Sequence, residues 1–473
     1  MPFLDVRDRA EHPRLVIGAD EIWDGSLIAS DSPRILRLSP FPSSGAASSL
    51  IDWGRDLGHL LTAVGESSVL LGLDPIESRD LRPLLAGILD GIGGLEPLGT
   101  IDIVLGTGTG LTPAEVTSAI EIELALRRGT EIARELTNAR ANQLGPAEFA
   151  RRAEELAAEH GLGIRVWDAP ELEEGGFGGI IAIGQGSKRP PALVELWLPG
   201  GSEAANTSDA ADTSAKSAGT AAPPTGALAF AGKGITFDTG GHSLKSPDAM
   251  YSMHTDCAGA AAVLGGLVAL AMTGSPCPIH AVLPLAENVP GPESVLPGDV
   301  VTMRSGAGLE IVDTDFEGRV VLADALALIG EHEPAAVVTL ATLTYQAMVA
   351  LGPEIAAVLA RDDELGNRLL TTSATTGEEM WRLPWAQRYA DQIRSDAPGA
   401  TLRNHPRTDT GRAITAALLL GEFVADTVPF AHIDFAGPAV RTVRGGPEAT
   451  GWGVRTVHEL ATDFTDSRNR RDR

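Results

Sequence analysis

The sequence predicts an α/β protein with two domains, each a mixed or mostly parallel sheet flanked by helices, joined by a long connector helix. Three observations support this prediction. At 473 residues the chain exceeds one ordinary hydrophobic core. Short apolar runs alternate with helix-like segments both before residue 111 and after residue 138. Between these regions, residues 112–137 carry one uninterrupted helical pattern.

The N-terminal region, residues 1–111, has βαβ-type patterning. Strands are predicted at residues 35–38, 69–73 and 101–105, with a helix at residues 81–92 between the last two. The glycine-rich stretch 106–110 follows a strand, as a phosphate-binding loop does. Leu111 stands where the third glycine of a dinucleotide motif belongs, so a plain turn is the favoured interpretation.

The connector helix is predicted to begin near Thr112. Thr112 can cap the helix, Pro113 suits its first position, and Glu115 completes a capping box. Apolar residues then recur at helical spacing as far as Leu136, although Gly129 weakens the middle of the helix.

The C-terminal region, residues 138–473, contains the strongest sheet pattern. A helix is predicted at residues 149–160 and strands at 180–183 and 192–198. Residues 200–226 are rich in Ala, Ser, Thr, Asp and Pro, which predicts a disordered surface insertion that extends a hairpin or a strand connection. Buried, mostly parallel strands separated by helices 258–272 and 320–329 follow it, at residues 227–231, 279–285, 336–340 and 429–433.

Charged residues cluster just after these apolar strands, where sites form in parallel sheets. The cluster contains four carboxylates and three cations in otherwise apolar or glycine-rich segments: Lys233, Asp238, Lys245, Asp256, Asp315, Glu317 and Arg319. Because isolated charges are rarely buried without a partner, their convergence predicts bound cations. Oxygen-rich sites with shared carboxylates favour Mg, Mn or Zn, and four carboxylates suffice for two ions.

Composition narrows the function further. The net charge of −26 and the pI of about 4.7 make nucleic acid or anionic membranes unlikely partners. Cys257 and Cys277 form no disulfide framework. The N-terminus has no apolar signal-peptide region, and the longest apolar run, 260–272, is shorter than a membrane span, so we expect a cytoplasmic protein. His332 and Glu333 begin like a zinc-binding HExxH motif, but Ala336 occupies its closing position.

The chain resembles the leucyl aminopeptidase family, the cytosol aminopeptidases. Residues 232–241, Gly-Lys-Gly-Ile-Thr-Phe-Asp-Thr-Gly-Gly, are similar to the lysine-aspartate loop of that family. Residues 313–319, Asp-Thr-Asp-Phe-Glu-Gly-Arg, resemble its Asn-Thr-Asp-Ala-Glu-Gly-Arg signature. The resemblance covers most of residues 135–455 except the insertion, whereas the N-terminal region matches only in layout.

The resemblance implies a two-metal aminopeptidase that hydrolyses the N-terminal peptide bond of peptides. It implies that Lys233, Asp238, Asp256 and Glu317 hold one ion, and that Asp238, Asp315 and Glu317 hold a second, more exchangeable one. The ions would be Mn or Zn. Lys245 would stabilise the gem-diolate, and Arg319 would hold a bicarbonate that acts as general base. Met253, Thr342 and Leu343 would border the substrate. A free α-amine on the substrate and a homohexameric assembly are also implied.

Several positions depart from the family pattern. Asp313 stands for an asparagine, Phe316 for an alanine, Tyr345 for a glycine and His254 for a basic residue. These departures keep an alternative open, a catalytically impaired family member that acts as a scaffold or a DNA-binding protein. A different two-metal hydrolase, such as a phosphatase, is a weaker alternative because the cluster has no histidine ligand.

Overall fold

The computed structural model describes residues 3–6, 14–16, 47–64, 68–73, 78–92, 100–105, 111–201, 222–443 and 446–471. The chain divides into two compact units, Met1–Arg127 with Ala374–Gly377, and Arg128–Ser373 with Glu378–Arg473. The boundary between them falls within one long helix. The predicted domain limits, 1–111, 112–137 and 138–473, stay predictions.

The first unit contains a four-stranded parallel sheet of order β1-β4-β3-β2 and two helices. Its elements are β1 (Phe3–Val6), β2 (Arg14–Val16), α1 (Ala47–Val64), β3 (Ser68–Leu73), α2 (Ser78–Ile92) and β4 (Thr100–Leu105). The predicted elements at 69–73, 81–92 and 101–105 are confirmed, while residues 35–38 and 106–110 lie outside the described ranges. Glycines at Gly54 and Gly87 let α1 and α2 touch backbone to backbone, since a Cβ at either would collide with a carbonyl oxygen of the other helix.

The connector helix α3 spans Pro113–Asn138 and begins as predicted. The Glu115 amide donates to Thr112 Oγ1 at 3.3 Å, and the Thr112 amide donates to Glu115 Oε2 at 2.7 Å, which completes the capping box. Gly129 has a packing role, because a Cβ there would collide with the carbonyl oxygen of Gly265. The glycine that weakens the helix on propensity therefore permits close approach to its neighbour.

The second unit is built on a nine-stranded mixed sheet, with two small accessory sheets. Its strands are β5 (Gly163–Trp167), β6 (Ala192–Leu198), β7 (Leu228–Gly232), β8 (Gly234–Asp238), β9 (Ile279–Asn288), β10 (Val300–Thr302), β11 (Gly308–Glu310), β12 (Ala336–Ala341), β13 (Ala356–Ala360), β14 (Met380–Arg382), β15 (Leu402–Arg403), β16 (Phe430–Asp434), β17 (Val440–Val443) and β18 (Gly446–Ala449).

Helices cover this sheet and connect its strands. They are α4 (Pro146–His160), α5 (Ala169–Glu174), α6 (Gly178–Gly184), α7 (Pro247–Met250), α8 (Ala258–Thr273), α9 (Gly318–Gly330), α10 (Tyr345–Leu351), α11 (Asp363–Thr376), α12 (Arg412–Gly421) and α13 (Val454–Arg471), with 3-10 helices at Met253–Cys257 and Gln387–Ile393.

The large sheet has the order β14-β13-β16-β12-β7-β9-β6-β5, with β8 paired to the end of β9. Its centre, β16, β12, β7 and β9, is parallel, and the pairs β6–β9, β5–β6 and β13–β16 are antiparallel. Every residue of β7, β9, β12 and β16 is buried, as expected for strands covered on both faces. The predicted α/β class with mostly parallel strands is confirmed.

One predicted strand is wrong. Residues 180–183 belong to helix α6, Gly178–Gly184, and not to a strand. A four-residue apolar run has no usable periodicity, and its burial suits either element. Asp324 of α9 favours the helix, because its Oδ2 accepts a 3.0 Å hydrogen bond from the amide of Ile180 in the first turn of α6.

The predicted insertion at 200–226 falls largely on residues 202–221, outside the described ranges. The strands on either side of it, β6 and β7, are not neighbours, because β9 lies between them. It therefore connects two non-adjacent strands and does not extend a hairpin.

A single described helical stretch, Met253–Thr273, is long and apolar enough to cross a membrane. In the apolar 18-residue part of this stretch, 89% is buried inside the protein. The stretch contains α8, whose first thirteen residues are all buried. A core helix accounts for its apolar character.

Candidate metal centre

The parallel strands deliver the charged cluster to the carboxyl edge of the large sheet. Lys233 follows the last residue of β7, and Asp238 ends β8, a short strand that the sequence analysis did not predict. Asp256 lies in the 3-10 helix before α8, and Asp315 and Glu317 lie in the loop that leads into α9. All five predicted ligands therefore come from segments that meet at one edge, where sites form in sheets of this type.

Lys233 lies at the centre of one half of the cluster. Its Nζ is 2.8 Å from Asp256 Oδ2 and 2.6 Å from Glu317 Oε1, and it donates to the Thr342 carbonyl oxygen at 3.3 Å. Thr342 also donates its hydroxyl to Asp256 Oδ1 at 2.6 Å. These contacts account for both oxygens of Asp256, so this carboxylate has a fixed orientation.

Lys245 lies at the centre of the other half. Its Nζ is 2.8 Å from Asp238 Oδ2 and forms a second ion pair with Asp315 Oδ1. Asp238 Oδ1 accepts hydrogen bonds of 2.8 Å from Asn288 Nδ2 and from the Gly240 amide. Gly240 has φ of 85°, which favours glycine, and its turn brings the chain back against the carboxylate.

The carboxylates outnumber the ammonium groups that contact them by two. Asp238, Asp256 and Glu317 are each 5% exposed or less, and one oxygen from each of Asp238, Asp315 and Glu317 lies within 4.8 Å of the others. Burial of an excess of negative charge is costly unless a cation compensates it. The donor set, carboxylate oxygens with one nearby amine, suits Mg, Mn or Zn.

The electrostatics of the carboxylates reflect this excess. Burial, with the neighbouring carboxylates of Glu317 and Asp238 and against the opposing lysines, raises the pKa of Asp256 and the pKa of Asp315 to about 7 each. Burial and Glu317 also raise the pKa of Asp238. Glu317 differs, because Lys233 and Lys245 more than offset its burial and lower its pKa.

The two lysines respond in the opposite direction. Burial alone would lower the pKa of Lys233, but Asp256, Glu317 and Asp238 raise it above its usual value. Burial would also lower the pKa of Lys245, but Asp238, Glu317 and Asp315 raise it above its usual value. Both are ammonium ions at neutral pH, so an amine ligand at Lys233 would have to lose its proton to the incoming metal ion.

The loop of residues 313–317 is held in place by side chains from distant parts of the chain. Asn404 Oδ1 accepts from the Val312 amide at 2.8 Å, and its Nδ2 donates to the Asp313 carbonyl oxygen at 2.6 Å. Asp313, where the family pattern has asparagine, accepts a 2.9 Å hydrogen bond from the Asp315 amide through Oδ1. The substitution at Asp313 thus retains a hydrogen-bond acceptor that shapes the loop around Asp315.

Arg319 is buried in the first turn of α9, with 1% of its surface exposed. Its Nη1 donates to the Asn404 carbonyl oxygen at 3.2 Å, and its guanidinium carbon is 4.5 Å from the Phe316 ring centre. No acceptor within the described part of the chain bonds its Nε. Burial lowers the pKa of Arg319 to about 10, so the guanidinium stays charged at neutral pH with a donor to spare.

The three predicted substrate-binding residues lie close to the ligands in the chain or in space. Met253 is half-buried and begins the 3-10 helix that carries Asp256. Thr342 and Leu343 follow β12, and the Leu343 amide donates to Asp434 Oδ1 at 3.1 Å. Tyr345, at the start of α10, is 75% exposed, so its ring lies at the surface and not in the core.

Comparison with known proteins identifies the family. The model of the cytosol aminopeptidase family catalytic domain matches residues 131–458, more than half of the chain. This chain belongs to the cytosol aminopeptidase family. A probable cytosol aminopeptidase of Syntrophotalea carbinolica is 40% identical over 443 residues, which cover 91% of this chain and 81% of the relative. One from Roseiflexus castenholzii is 37% identical over 413 residues, covering 86% and 77%.

Two solved structures of a similar protein have the same fold. The bottromycin maturation enzyme BotP in complex with Mn superposes with a TM-score of 0.79 at 32% sequence identity, covering 93% of this chain and 94% of its own. A second BotP structure gives 0.79 at 30% identity and covers 98% of this chain and 99% of its own. The protein is therefore a member of a peptidase family, and the α/β architecture predicted from the pattern of its sequence is confirmed.

Sequence reasoning missed three side chains that support the site, Asn288, Asn404 and Asp434, each at most 2% exposed. Asn288 bonds the ligand Asp238, and Asn404 bonds the loop that carries Asp315. Asp434 accepts from the amide of Leu343, a predicted substrate-binding residue. Asn288 and Asp434 end strands β9 and β16 at the same edge as the cluster, a position that could have singled them out. Asn404 follows the two-residue strand β15 and had no such signal.

Proposed function

We propose that this protein is a cytoplasmic, metal-dependent aminopeptidase that removes the N-terminal residue of peptides. The observation that carries this proposal is the buried excess of carboxylates at the carboxyl edge of the sheet. Membership of the cytosol aminopeptidase family supports it, and so do the names of the relatives. The residues proposed to hold two divalent ions are Lys233, Asp238, Asp256, Asp315 and Glu317.

Asp238 and Glu317 are the natural shared ligands. Glu317 contacts Lys233 in one half of the cluster, and one of its oxygens lies within 4.8 Å of oxygens of Asp238 and Asp315 in the other. When bound, a pair of divalent ions polarises a carbonyl group and lowers the pKa of a bound water. The Mn in the BotP complex supports manganese, with zinc as the second choice.

Lys245 is the proposed electrostatic catalyst. Its ammonium is held at the cluster by Asp238 and Asp315, and 15% of its side chain is exposed, more than for Lys233 at 4%. Lys245 therefore reaches the solvent side of the cluster, where a peptide carbonyl would lie. A fixed ammonium there stabilises the negative charge that develops on the carbonyl oxygen during hydrolysis.

Arg319 is the proposed anion-binding residue. It is buried and charged, and its Nε lacks an acceptor among the described residues. A bicarbonate would satisfy this donor and would bring a base to the edge of the cluster. Phe316 packs against the guanidinium and against the ring of His405, 4.5 Å away, so it limits where such an anion can lie.

The free α-amine of a peptide would be a further ligand for the more exchangeable ion, which accounts for a preference for free N-termini. Met253 would contact the first side chain, since it lies on the 3-10 helix that carries Asp256. Thr342 and Leu343 would contact the peptide backbone, since Thr342 bonds the proposed ligands Lys233 and Asp256. The homohexamer implied by the family resemblance stays a prediction.

The test is metal-dependent hydrolysis of leucine-p-nitroanilide and a panel of dipeptides. Activity should disappear after treatment with a chelator and return with Mn²⁺ or Zn²⁺. Lys245→Ala should reduce kcat by about 10²- to 10³-fold while metal content is retained. Lys188→Ala, at an exposed lysine outside the cluster, serves as the control and should retain full activity.

Absence of turnover by a folded, metal-loaded protein would overturn the proposal. It would favour the catalytically impaired scaffold, and a gel shift at physiological salt would then test DNA binding. Equal activity of Lys245→Ala and the parent protein would remove Lys245 from the mechanism but would leave the aminopeptidase assignment standing.

A further inference from the structure

A second group of metal-binding side chains lies at the amino edge of the same sheet. Glu195 is in β6, His280 is in β9, and His332 follows α9. His280 Nε2 is 3.0 Å from Glu195 Oε1, and His332 Nε2 is 3.5 Å from the same oxygen. One ligand atom from each residue lies within 4.8 Å of the other two. Two imidazole nitrogens therefore face the same carboxylate oxygen, which gives three potential ligands at one place.

The topology explains the convergence of these three residues. His280 pairs with Trp197 and Glu195 pairs with Val282 in the antiparallel register of β6 and β9, so Glu195 and His280 are diagonal neighbours on one face. Helix α9 leads from the carboxyl edge, at Glu317, back to the start of β12. It therefore brings His332 to the amino edge.

This cluster is remote from the aminopeptidase cluster. His280 is the second residue of β9, and Asn288, which bonds Asp238, is its last. Eight residues of extended strand separate them, which at about 3.3 Å per residue amounts to about 26 Å. The two clusters share no residue, and none of the proposed ligands of the carboxyl edge is a histidine.

The spacing suits a tetrahedral ion. Two ligands at the Zn–N and Zn–O distances of about 2.0–2.1 Å lie about 3.4 Å apart when they subtend a tetrahedral angle. The separations of 3.0 and 3.5 Å bracket that value. Small side-chain adjustments would therefore accommodate an ion without a change of backbone.

The surroundings of the cluster resemble the outer shell of a metal site. Trp167 Nε1 donates to Glu195 Oε2 at 3.3 Å, which orients the carboxylate and leaves Oε1 facing the two histidines. Trp167 supplies the outer contact in this cluster, because His280 Nδ1 is buried and no acceptor within the described part of the chain orients that imidazole. The side chains of Glu195 and His280 are at most 4% exposed, whereas that of His332 is 25% exposed. An ion would therefore enter past His332.

The geometry points to a second metal site, in which Glu195, His280 and His332 bind one divalent ion of borderline softness, such as zinc. Two imidazoles and one carboxylate form a ligand set that suits zinc and does not suit magnesium or calcium. A water molecule would complete the tetrahedron on the open side at His332. Such an ion would tie β6, β9 and the loop after α9 together, far from the hydrolytic reaction.

The test uses the full-length protein, stripped with a chelator and titrated with Zn²⁺ alone. Bound zinc per chain is measured by mass spectrometry after gel filtration, and the imidazole resonances are followed by ¹H–¹⁵N NMR. His332→Ala should bind one zinc ion fewer than the parent protein, with at least about 100-fold weaker affinity at this site, because even an outer partner is worth about 10- to 100-fold. Its hydrolysis of leucine-p-nitroanilide should be unchanged.

His160→Ala is the matched control, since His160 is also partly buried beside a carboxylate, Glu159 at 3.5 Å, but belongs to no group of three potential metal ligands among the described residues. It should bind as much zinc as the parent protein. Equal zinc content in His332→Ala and the parent protein, with no shift of the His280 and His332 resonances on zinc addition, would reduce the cluster to a buried ion pair and overturn the site. The NMR titration of the parent protein decides the matter even if His332→Ala does not fold.

Discussion

The two edges of the large sheet carry ionisable clusters of opposite character. At the carboxyl edge four carboxylates contact only two ammonium groups, and burial with mutual repulsion raises the pKa of three of the carboxylates. At the amino edge one carboxylate has two histidine neighbours and a tryptophan donor, and its pKa is lowered. The carboxyl edge thus needs bound cations to balance its excess of carboxylates. At the amino edge the single carboxylate already has hydrogen-bonding partners, and with the two histidines it forms a set of potential metal ligands.

The two edges also differ in how their residues are presented. The carboxyl-edge ligands lie at strand ends, in a 3-10 helix and in the loop before α9, and a turn with positive-φ glycines, Gly240 and Gly241, follows Asp238. At the amino edge two of the three residues project from the middle and start of regular strands. Turns can adapt to two ions and a substrate, while side chains fixed on strands suit one ion in a fixed geometry.

The sharpest test of this contrast removes one buried carboxylate charge at each edge. Glu317→Gln should lower kcat/KM for leucine-p-nitroanilide by about 10³-fold or more, because losing metal-assisted charge stabilisation costs several kcal/mol and each 1.36 kcal/mol is tenfold. Glu195→Gln, at a glutamate of the same burial, should leave kcat/KM within about twofold. Steady-state kinetics with bound metal measured in parallel checks both.

A comparable loss in the two variants would show that the edges are coupled, and the separation argued from about 26 Å of strand would fail. Circular dichroism of both proteins is the necessary control, since each substitution replaces a buried carboxylate.

The second test of the comparison is pH. Because the pKa of Asp256 and the pKa of Asp315 are each about 7 without metal, protons compete with the ion below that pH. Two such acids predict that the affinity for Mn²⁺ at the carboxyl edge falls at least about 100-fold between pH 8 and pH 6, and the proton that Lys233 must release as a ligand makes the fall steeper. Titration of the chelator-treated protein with Mn²⁺ across that range measures it. A flat profile would contradict the raised pKa values.

The same shifts predict the stability of the metal-free protein. A carboxyl group whose pKa is raised on folding stabilises the fold below its unfolded pKa of about 4, and this contribution is lost as pH rises through about 7. The Tm of metal-free protein should therefore fall between pH 5 and pH 8 relative to that of Mn²⁺-loaded protein. Thermal melts with and without Mn²⁺ test the sign directly.

The contrast between the edges also explains what the sequence could reveal. The buried parallel strands were predictable because they are short apolar runs bounded by turns, as at β7 and β12. Strand β8 was missed because its glycine and charged residues resemble a loop, and α6 was mistaken for a strand because four apolar residues have no period. The hydrogen bond from the Ile180 amide to Asp324, 144 residues away, stabilises the first turn of α6, and nothing in the local sequence predicts it.

For the site, a residue could be predicted from the sequence when it lies close to other site residues along the chain. Lys233 to Lys245 and Asp315 to Arg319 form two compact segments, so their chemistry was visible before folding. Asn404 lies 91 residues from the Asp313 whose carbonyl it binds. At the amino edge, Glu195 and His280 sit singly in apolar strands, and His332 was considered only as an incomplete HExxH motif. Ligands that meet only through strand register have no signature in the sequence.

The finest test concerns the tryptophan that orients Glu195. Trp167→Phe removes the 3.3 Å hydrogen bond to Glu195 Oε2 but keeps a ring to pack edge-on against Phe177, 5.2 Å away. Zinc affinity at the amino edge should fall about tenfold, the lower end of the range for an outer partner, with hydrolysis unchanged. Trp385→Phe is matched, because Trp385 Nε1 donates at the same 3.3 Å to Gln387 Oε1, remote from either histidine. Competition with a chromophoric chelator measures the zinc affinity of both variants. If the two affinities are equal, Trp167 does not orient the Glu195 carboxylate, and the strands alone hold it in position.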